Sequence, residues 1–222
     1  RYENKAGQRY GVTKLEYIVT DFRLYTDATS YEEISTSQYV NPEKTGSTSF
    51  TLNELPDGDY EQVSFVFGIR EEKNRSGNLP SSRNIANMGW PPGNGGGYHY
   101  MRMNGNYESD SAQGVFTTHL GHTKQWALDT TVNGVQDTAV VTDETVKSFA
   151  FEVKLPGSAV ELSNGSNASM TITMDLNNWY QNPNTYRFPP SEKAGIMRRQ
   201  SRQQTLKENG MRDVFQLTNL SS

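Results

Sequence analysis

The clearest pattern along the chain is short alternation of apolar and polar positions, the period of a strand with one better-buried face. Within Val12 to Tyr25, Leu15, Tyr17 and Val19 alternate with Glu16, Ile18 and Thr20. A second run from Tyr60 to Ile69 places Val63, Phe65, Phe67 and Ile69 on one face, and a shorter run from Ser49 to Leu52 precedes it. Pro56-Asp57-Gly58 lies between these two runs. Proline presets φ and glycine accepts the left-handed conformation, so the pair is expected to form a hairpin. Further strands are predicted at Tyr98 to Met103, Gly114 to Leu120, Asp137 to Thr142, Val146 to Leu155, Ala159 to Ser163 and Ser169 to Leu176. In the first of these, His99, Met101 and Met103 fall on one face and Tyr98, Tyr100 and Arg102 on the other, with a turn at Asn104-Gly105.

Seven to nine such runs with turn signals between them predict an all-β fold, an antiparallel β-sandwich of immunoglobulin-like or Greek-key type. Two stretches depart from the pattern. Arg70 to Asn87 is polar and rich in turn formers, a long inserted loop of the kind that is more often functional than incidental. Near the C-terminus, Asp175 to Tyr180 reads as a helical turn and AGIMRRQSRQQTLKENG as a short surface helix. Ile196, Met197 and Leu206 would face inward, Gly210 would end the helix, and a last strand would run from Asp213 to Leu217. Residues 1–222 are expected to form a single domain.

Composition narrows the function. The formal charge is -4 and the 21 Lys and Arg residues are scattered, which argues against the clustered basic face that nucleic acid needs. The absence of cysteine removes disulfides, thiolate metal sites and cysteine nucleophiles together. No apolar run is long enough to span a membrane as a helix. The opening RYENKAGQRY has neither an initiator Met nor an apolar export segment, so the sequence is expected to be a mature fragment whose signal has been removed. Neither G-x-S-x-G nor H-E-x-x-H occurs, and no enzymatic activity is expected. Gly93-Asn94-Gly95-Gly96-Gly97 precedes a strand rather than a helix, so it reads as a tight crossing of the backbone and not as a phosphate cradle.

The chemistry concentrates in residues 88–122, which hold all three histidines, His99, His119 and His122, with Met88, Met101, Met103 and Trp90. Imidazole and thioether donors arriving from successive strands are what a copper site wants, above all for Cu(I). Spacing alone leaves two readings open. In one, an antiparallel strand pair brings two of the three imidazoles within reach of one ion. In the other, the histidines are incidental and Tyr98, Tyr100, Trp126 and Trp179 form a surface platform for a glycan or a protein.

The succession VTKLEYIVTDFRLY, LPDGDYEQVSFVFGI, MGWPPGNGGGYHYMRMNG, FTTHLG, MDLNNWYQNP and LKENGMRDVF resembles the MbnP-like family, in the branch found in Bacteroidetes lipoproteins, over nearly the whole chain. The resemblance implies a non-catalytic copper-binding β-sandwich in the periplasm or at the cell surface, lipid-anchored through a cysteine lost from this fragment. Its role would be acquisition, storage or handover to an outer-membrane transporter. His119 corresponds to the histidine of the HLG motif and is the first candidate ligand under this resemblance, with His99 as the second imidazole and His122 or Met101 as a third donor. Trp90 corresponds to the tryptophan that related proteins oxidise to kynurenine with a dihaem peroxidase-like partner, although the second tryptophan of that pattern is replaced here by GWPPGNGGGY.

Overall fold

The computed structural model describes residues 1–110, 113–127, 131–132, 135–136, 140–163, 167–188 and 195–221. Strand β1 (Tyr2–Glu3) leads into the 17-residue β2 (Arg9–Tyr25), and β3 (Tyr31–Val40) returns beside it. Then come β4 (Gly58–Tyr60), β5 (Gln62–Phe67) and an excursion that carries the one-turn helix α1 (Arg83–Ala86). Strands β6 (Met101–Glu108), β7 (Gln113–Leu120) and β8 (His122–Ala127) follow, and after them the short β9 (Thr131–Val132) and β10 (Val135–Gln136). Next are β11 (Val140–Ser148), β12 (Phe151–Leu155), β13 (Val160–Leu162) and β14 (Ser169–Met174). The chain closes with helix α2 (Gln200–Gly210) and β15 (Phe215–Ser221).

β2 is long because β-branched and aromatic residues, which suit a pleated half-buried surface, fill most of it. Its first half pairs with β6, from Arg9 opposite Glu108 to Tyr17 opposite Met101. Its second half pairs with β5, ending at Tyr25 opposite Gln62, and with β3. The main sheet therefore runs β12-β5-β2-β6-β7. Every strand pair in the described residues is antiparallel. Against this sheet pack the β14–β15 pair and the aromatic segment that follows β14. Phe65 meets Phe215 at 5.4 Å between ring centres, Phe67 meets Trp179 at 5.2 Å, and Phe116 stacks on Phe188 at 4.5 Å. This is the all-β sandwich the alternation predicts, with the inserted loop and the C-terminal helix in place.

Several expected elements differ. Residues 49–52 form no strand, and the run from Tyr60 to Ile69 is divided. Gly58–Tyr60 pairs instead with Val160–Leu162, while the Tyr60 hydroxyl donates to the Pro56 carbonyl at 2.9 Å and folds the Pro-Asp-Gly turn on itself. β3 has no clear apolar alternation and was not foreseen, since only one of its edges and part of one face are covered. Asn104-Gly105 is not a turn but the middle of β6. The run from Val146 to Leu155 breaks at Phe149-Ala150, where the chain leaves its β8 partner for β5. Of Asp137 to Thr142, residues 137–139 lie outside the described residues and the remainder belongs to β11. The C-terminal helix starts at Gln200, so Ile196 and Met197 precede it, although Ile196 and Leu206 are both fully buried.

Phe67 is fully buried and its ring lies within 5.2 Å of Phe151, Trp179 and Phe215. Phe67→Ala is expected to lower stability by about 3–5 kcal/mol in urea titration. A loss below about 1 kcal/mol would contradict this packing.

Candidate metal centre

His99 reaches its position through an irregular crossing. Gly95, Gly96 and Gly97 all take positive φ, at 115°, 70° and 77°, a conformation that side-chain-bearing residues rarely adopt. The Trp90 N–H donates to the Gly97 carbonyl at 2.8 Å, and a single bridge joins Gly89 to Tyr98. The chain then bends at Tyr100, so Tyr100 and Met101 are both fully buried and the expected alternation fails there. His99 consequently does not share a face with Met101 and Met103. Its ring packs against His119, 5.1 Å between centres and at 80°.

The register explains where His119 lies. Arg102 stands opposite His119 and Glu16 opposite Arg102, while Met101 stands opposite Leu120 and Met103 opposite Thr118. Neighbouring residues on a strand point to opposite faces. His119, Arg102, Asn104 and Glu16 thus occupy one face, and Met101 and Met103 belong to the core behind it.

Trp90 is 3% exposed and stands edge-on to His99, with ring centres 4.6 Å apart. It lies over Gly121, where a Cβ would come within 2.7 Å of the indole. The indole N–H donates to the Asn94 carbonyl at 3.3 Å.

Hydrogen bonds assign the nitrogens. His99 Nδ1 lies 3.1 Å from the Met88 carbonyl, which can only accept, so Nδ1 carries the proton. His99 Nε2 is left with a lone pair, buried and with no hydrogen-bond partner in the described residues. His119 Nε2 lies 2.8 Å from Asn104 Oδ1 and donates to it, which leaves the lone pair on Nδ1. His122 differs: its Nε2–H donates to the Gly96 carbonyl at 2.6 Å and its Nδ1 accepts from Asn74 at 3.3 Å. Both of its nitrogens are used, and Trp90 is 6.4 Å from it between ring centres.

The expected ligand set is therefore divided. His99 and His119 come together with Trp90 beside them. His122 is a satisfied framework histidine and Met101 a core side chain. No group of three or more His, Asp or Glu side chains suited to a metal ion gathers in the described residues.

The sequence of the chain matches the MbnP family profile over residues 1–198. The chain belongs to the MbnP family. That places it with copper-related extracytoplasmic proteins. Among solved structures, MbnP from Methylosinus trichosporium aligns with 80% of this chain and 68% of that chain, at 12% identity and a TM-score of 0.44. A search of curated proteins returns no match. In this MbnP-family chain no helix in the described residues is long and apolar enough to cross a membrane.

The electrostatics of the pair suit a neutral donor set. Burial pushes His99 down to about 4, against the opposing hydrogen bond to Met88. Burial, then the neighbouring His99 and Arg102, push His119 down to about 3. Burial also lowers His122. Nearby, Glu16 is buried and would on that account be raised, but hydrogen bonds from Tyr39 and Lys14 and the charges of Lys14 and Arg102 hold it below the usual carboxylate range. Tyr39 donates to it at 2.8 Å, and Lys14 and Arg102 stand at 3.1 and 3.5 Å. Glu16 thus pairs with Lys14 and Arg102, and its charge also acts on His99, against the effect of burial.

The folded protein binds fewer protons than the unfolded chain between the lowered histidine values and the ordinary value near 6.5. The corresponding stability is fully present above about pH 6.5 and is lost as pH falls toward about 4 and about 3. Metal-free protein is expected to lose on the order of 1 to 2 kcal/mol for each of these two rings between pH 7 and pH 5, measured by urea denaturation. An equal loss in the His99→Gln, His119→Gln double variant would assign the effect to other groups.

Proposed function

We propose that this chain is a non-catalytic copper-binding protein outside the cytoplasm, that it carries Cu(I) as cargo on His99 and His119, and that it serves acquisition, storage or handover. The observation that carries this reading is the buried, unpartnered Nε2 of His99 beside the His119 ring. A buried acceptor without a partner costs free energy, and a bound ion would relieve that cost. Two metal–nitrogen bonds of about 2 Å each separate ring centres by no more than roughly 6 Å, and the pair lies within that reach.

The donor set favours the monovalent, softer ion. Both rings are neutral imidazoles, and the Arg102 guanidinium opposite His119 is balanced by Glu16, so the pair offers soft, uncharged donors of the kind a monovalent ion takes. These residues bind and orient the cargo, and burial excludes water from it.

Trp90 extends the proposal. Its edge-on contact with His99 puts it where an oxidised indole would lie against the pair, as the family resemblance implies. A dihaem peroxidase-like partner would be the oxidant, an outer-membrane transporter the recipient, and a lipid anchor upstream of this sequence the means of attachment. The competing surface platform keeps one of its four residues, because Tyr98, Tyr100 and Trp179 are buried and Trp126 alone is half-buried.

Cu(I) competition against a chromophoric chelator tests the reading. One ion per chain is expected, with His99→Ala and His119→Ala each weakening affinity at least tenfold, about 1.4 kcal/mol, and Met101→Leu leaving it within about twofold. Affinity unaffected by either histidine substitution would sink the proposal. Intact mass of protein from the native host should show loss of one carbon and gain of one oxygen if Trp90 is converted to kynurenine.

A further inference from the structure

Asn104 lies on the same face of β6 as Arg102 and His119, two residues beyond Arg102. Opposite it, β2 carries one extra residue. Val12 pairs with Gly105 and Lys14 with Asn104, so Thr13 bulges between them, and its hydroxyl donates to the Asn104 carbonyl at 3.3 Å. Bulges of this kind re-aim neighbouring side chains. Here the Asn104 carboxamide points along the sheet to His119, with Oδ1 at 2.8 Å from Nε2.

A neutral imidazole has one donor and one acceptor nitrogen, and an acceptor held against one nitrogen decides which is which. For His99 that acceptor is the Met88 main-chain carbonyl, fixed by the backbone crossing. For His119 it is a side chain, which substitution can remove without disturbing the chain. The two locks act on different nitrogens, Nδ1 of His99 and Nε2 of His119, and leave Nε2 of the first and Nδ1 of the second as the lone pairs of rings 5.1 Å apart.

We propose that Asn104 is the positioning residue of the pair: its carboxamide oxygen holds His119 in the Nε2–H tautomer, so that Nδ1 is the nitrogen His119 offers to the metal. This rests on the copper reading above. Without the lock, the neutral ring is free to carry its proton on Nδ1 and withhold the donor. Outer-shell partners of metal-ligating histidines typically contribute 10–100-fold in affinity.

The test uses metal-free protein first. Histidine side-chain 15N–1H spectra of the wild type should show His119 protonated on Nε2. Asn104→Leu should shift His119 toward the Nδ1–H form while the His99 and His122 signals stay in place, which also checks that the fold is retained. In Cu(I) competition, Asn104→Leu should weaken binding 10–100-fold, and Asn104→Asp, whose carboxylate accepts the same N–H, should restore most of that loss. A wild-type His119 protonated on Nδ1, or an Asn104→Leu protein that binds Cu(I) as tightly as the wild type, would overturn the positioning role. A wild-type protein that does not bind Cu(I), with His119 nonetheless protonated on Nε2, would overturn the copper reading and with it any metal-directed role for Asn104.

Discussion

The pairing of β2 with β6, Leu15 opposite Met103 and Glu16 opposite Arg102, is the constraint on which the rest of the structure depends. Side chains on a strand alternate between faces, so a slip of one residue would exchange the two faces of the sheet. Met103 would leave the core, and Arg102 would enter it without Glu16. The Thr13 bulge keeps this register fixed while allowing a local change in direction. The same pairing brings Arg102 to Glu16, and with Lys14, two residues back on β2, it offsets the burial of that carboxylate.

Trp90 acts as a partition set on this frame. Gly121 lets the indole approach the backbone closely, and the indole separates two histidines with different roles. On one side, His99 with His119 keeps an unused nitrogen. On the other, His122 ties Asn74 of the inserted loop to Gly96 of the glycine crossing, and Asn74 in turn accepts the Tyr98 N–H at 2.9 Å. The inserted loop thus braces the crossing that carries His99 through the hydrogen bonds of Asn74.

Much of the architecture was legible because burial on one face writes a period of two into the sequence, as in Val63, Phe65 and Phe67. β3 was not, because Tyr31–Val40 has a mixed polar surface whose strand character comes from pairing with β2. Asn104-Gly105 has the composition of a turn, and only its registered partners on both sides keep it extended. For the candidate centre, the concentration of histidine, methionine and tryptophan in residues 88–122 pointed to the segment from which the His99–His119 pair is built. Alternation then put His99 with Met101, since nothing in the residue types announces the bend at Tyr100. Spacing alone did not separate His119 from His122, and hydrogen bonding does. Asn104 and Asn74 carried no signal at all, because an amide that hydrogen-bonds a histidine ring is recognisable only once that ring is placed.

The imidazole pair is also assembled from unusually local material. His99, His119, the Met88 carbonyl, Asn104 and Trp90 all come from one contiguous stretch, and the β6–β7 pairing that joins the histidines is between successive strands. Closing so short a loop costs little chain entropy, whereas docking β2 onto β6 must bring together parts of the chain nearly a hundred residues apart. Contact order therefore divides the assembly in two. The contacts that bring the two rings together, the crossing before β6 and the β6–β7 pairing, are local in sequence, whereas the β2 pairing behind them is not, so the pair and its backing carry very different loop-closure costs.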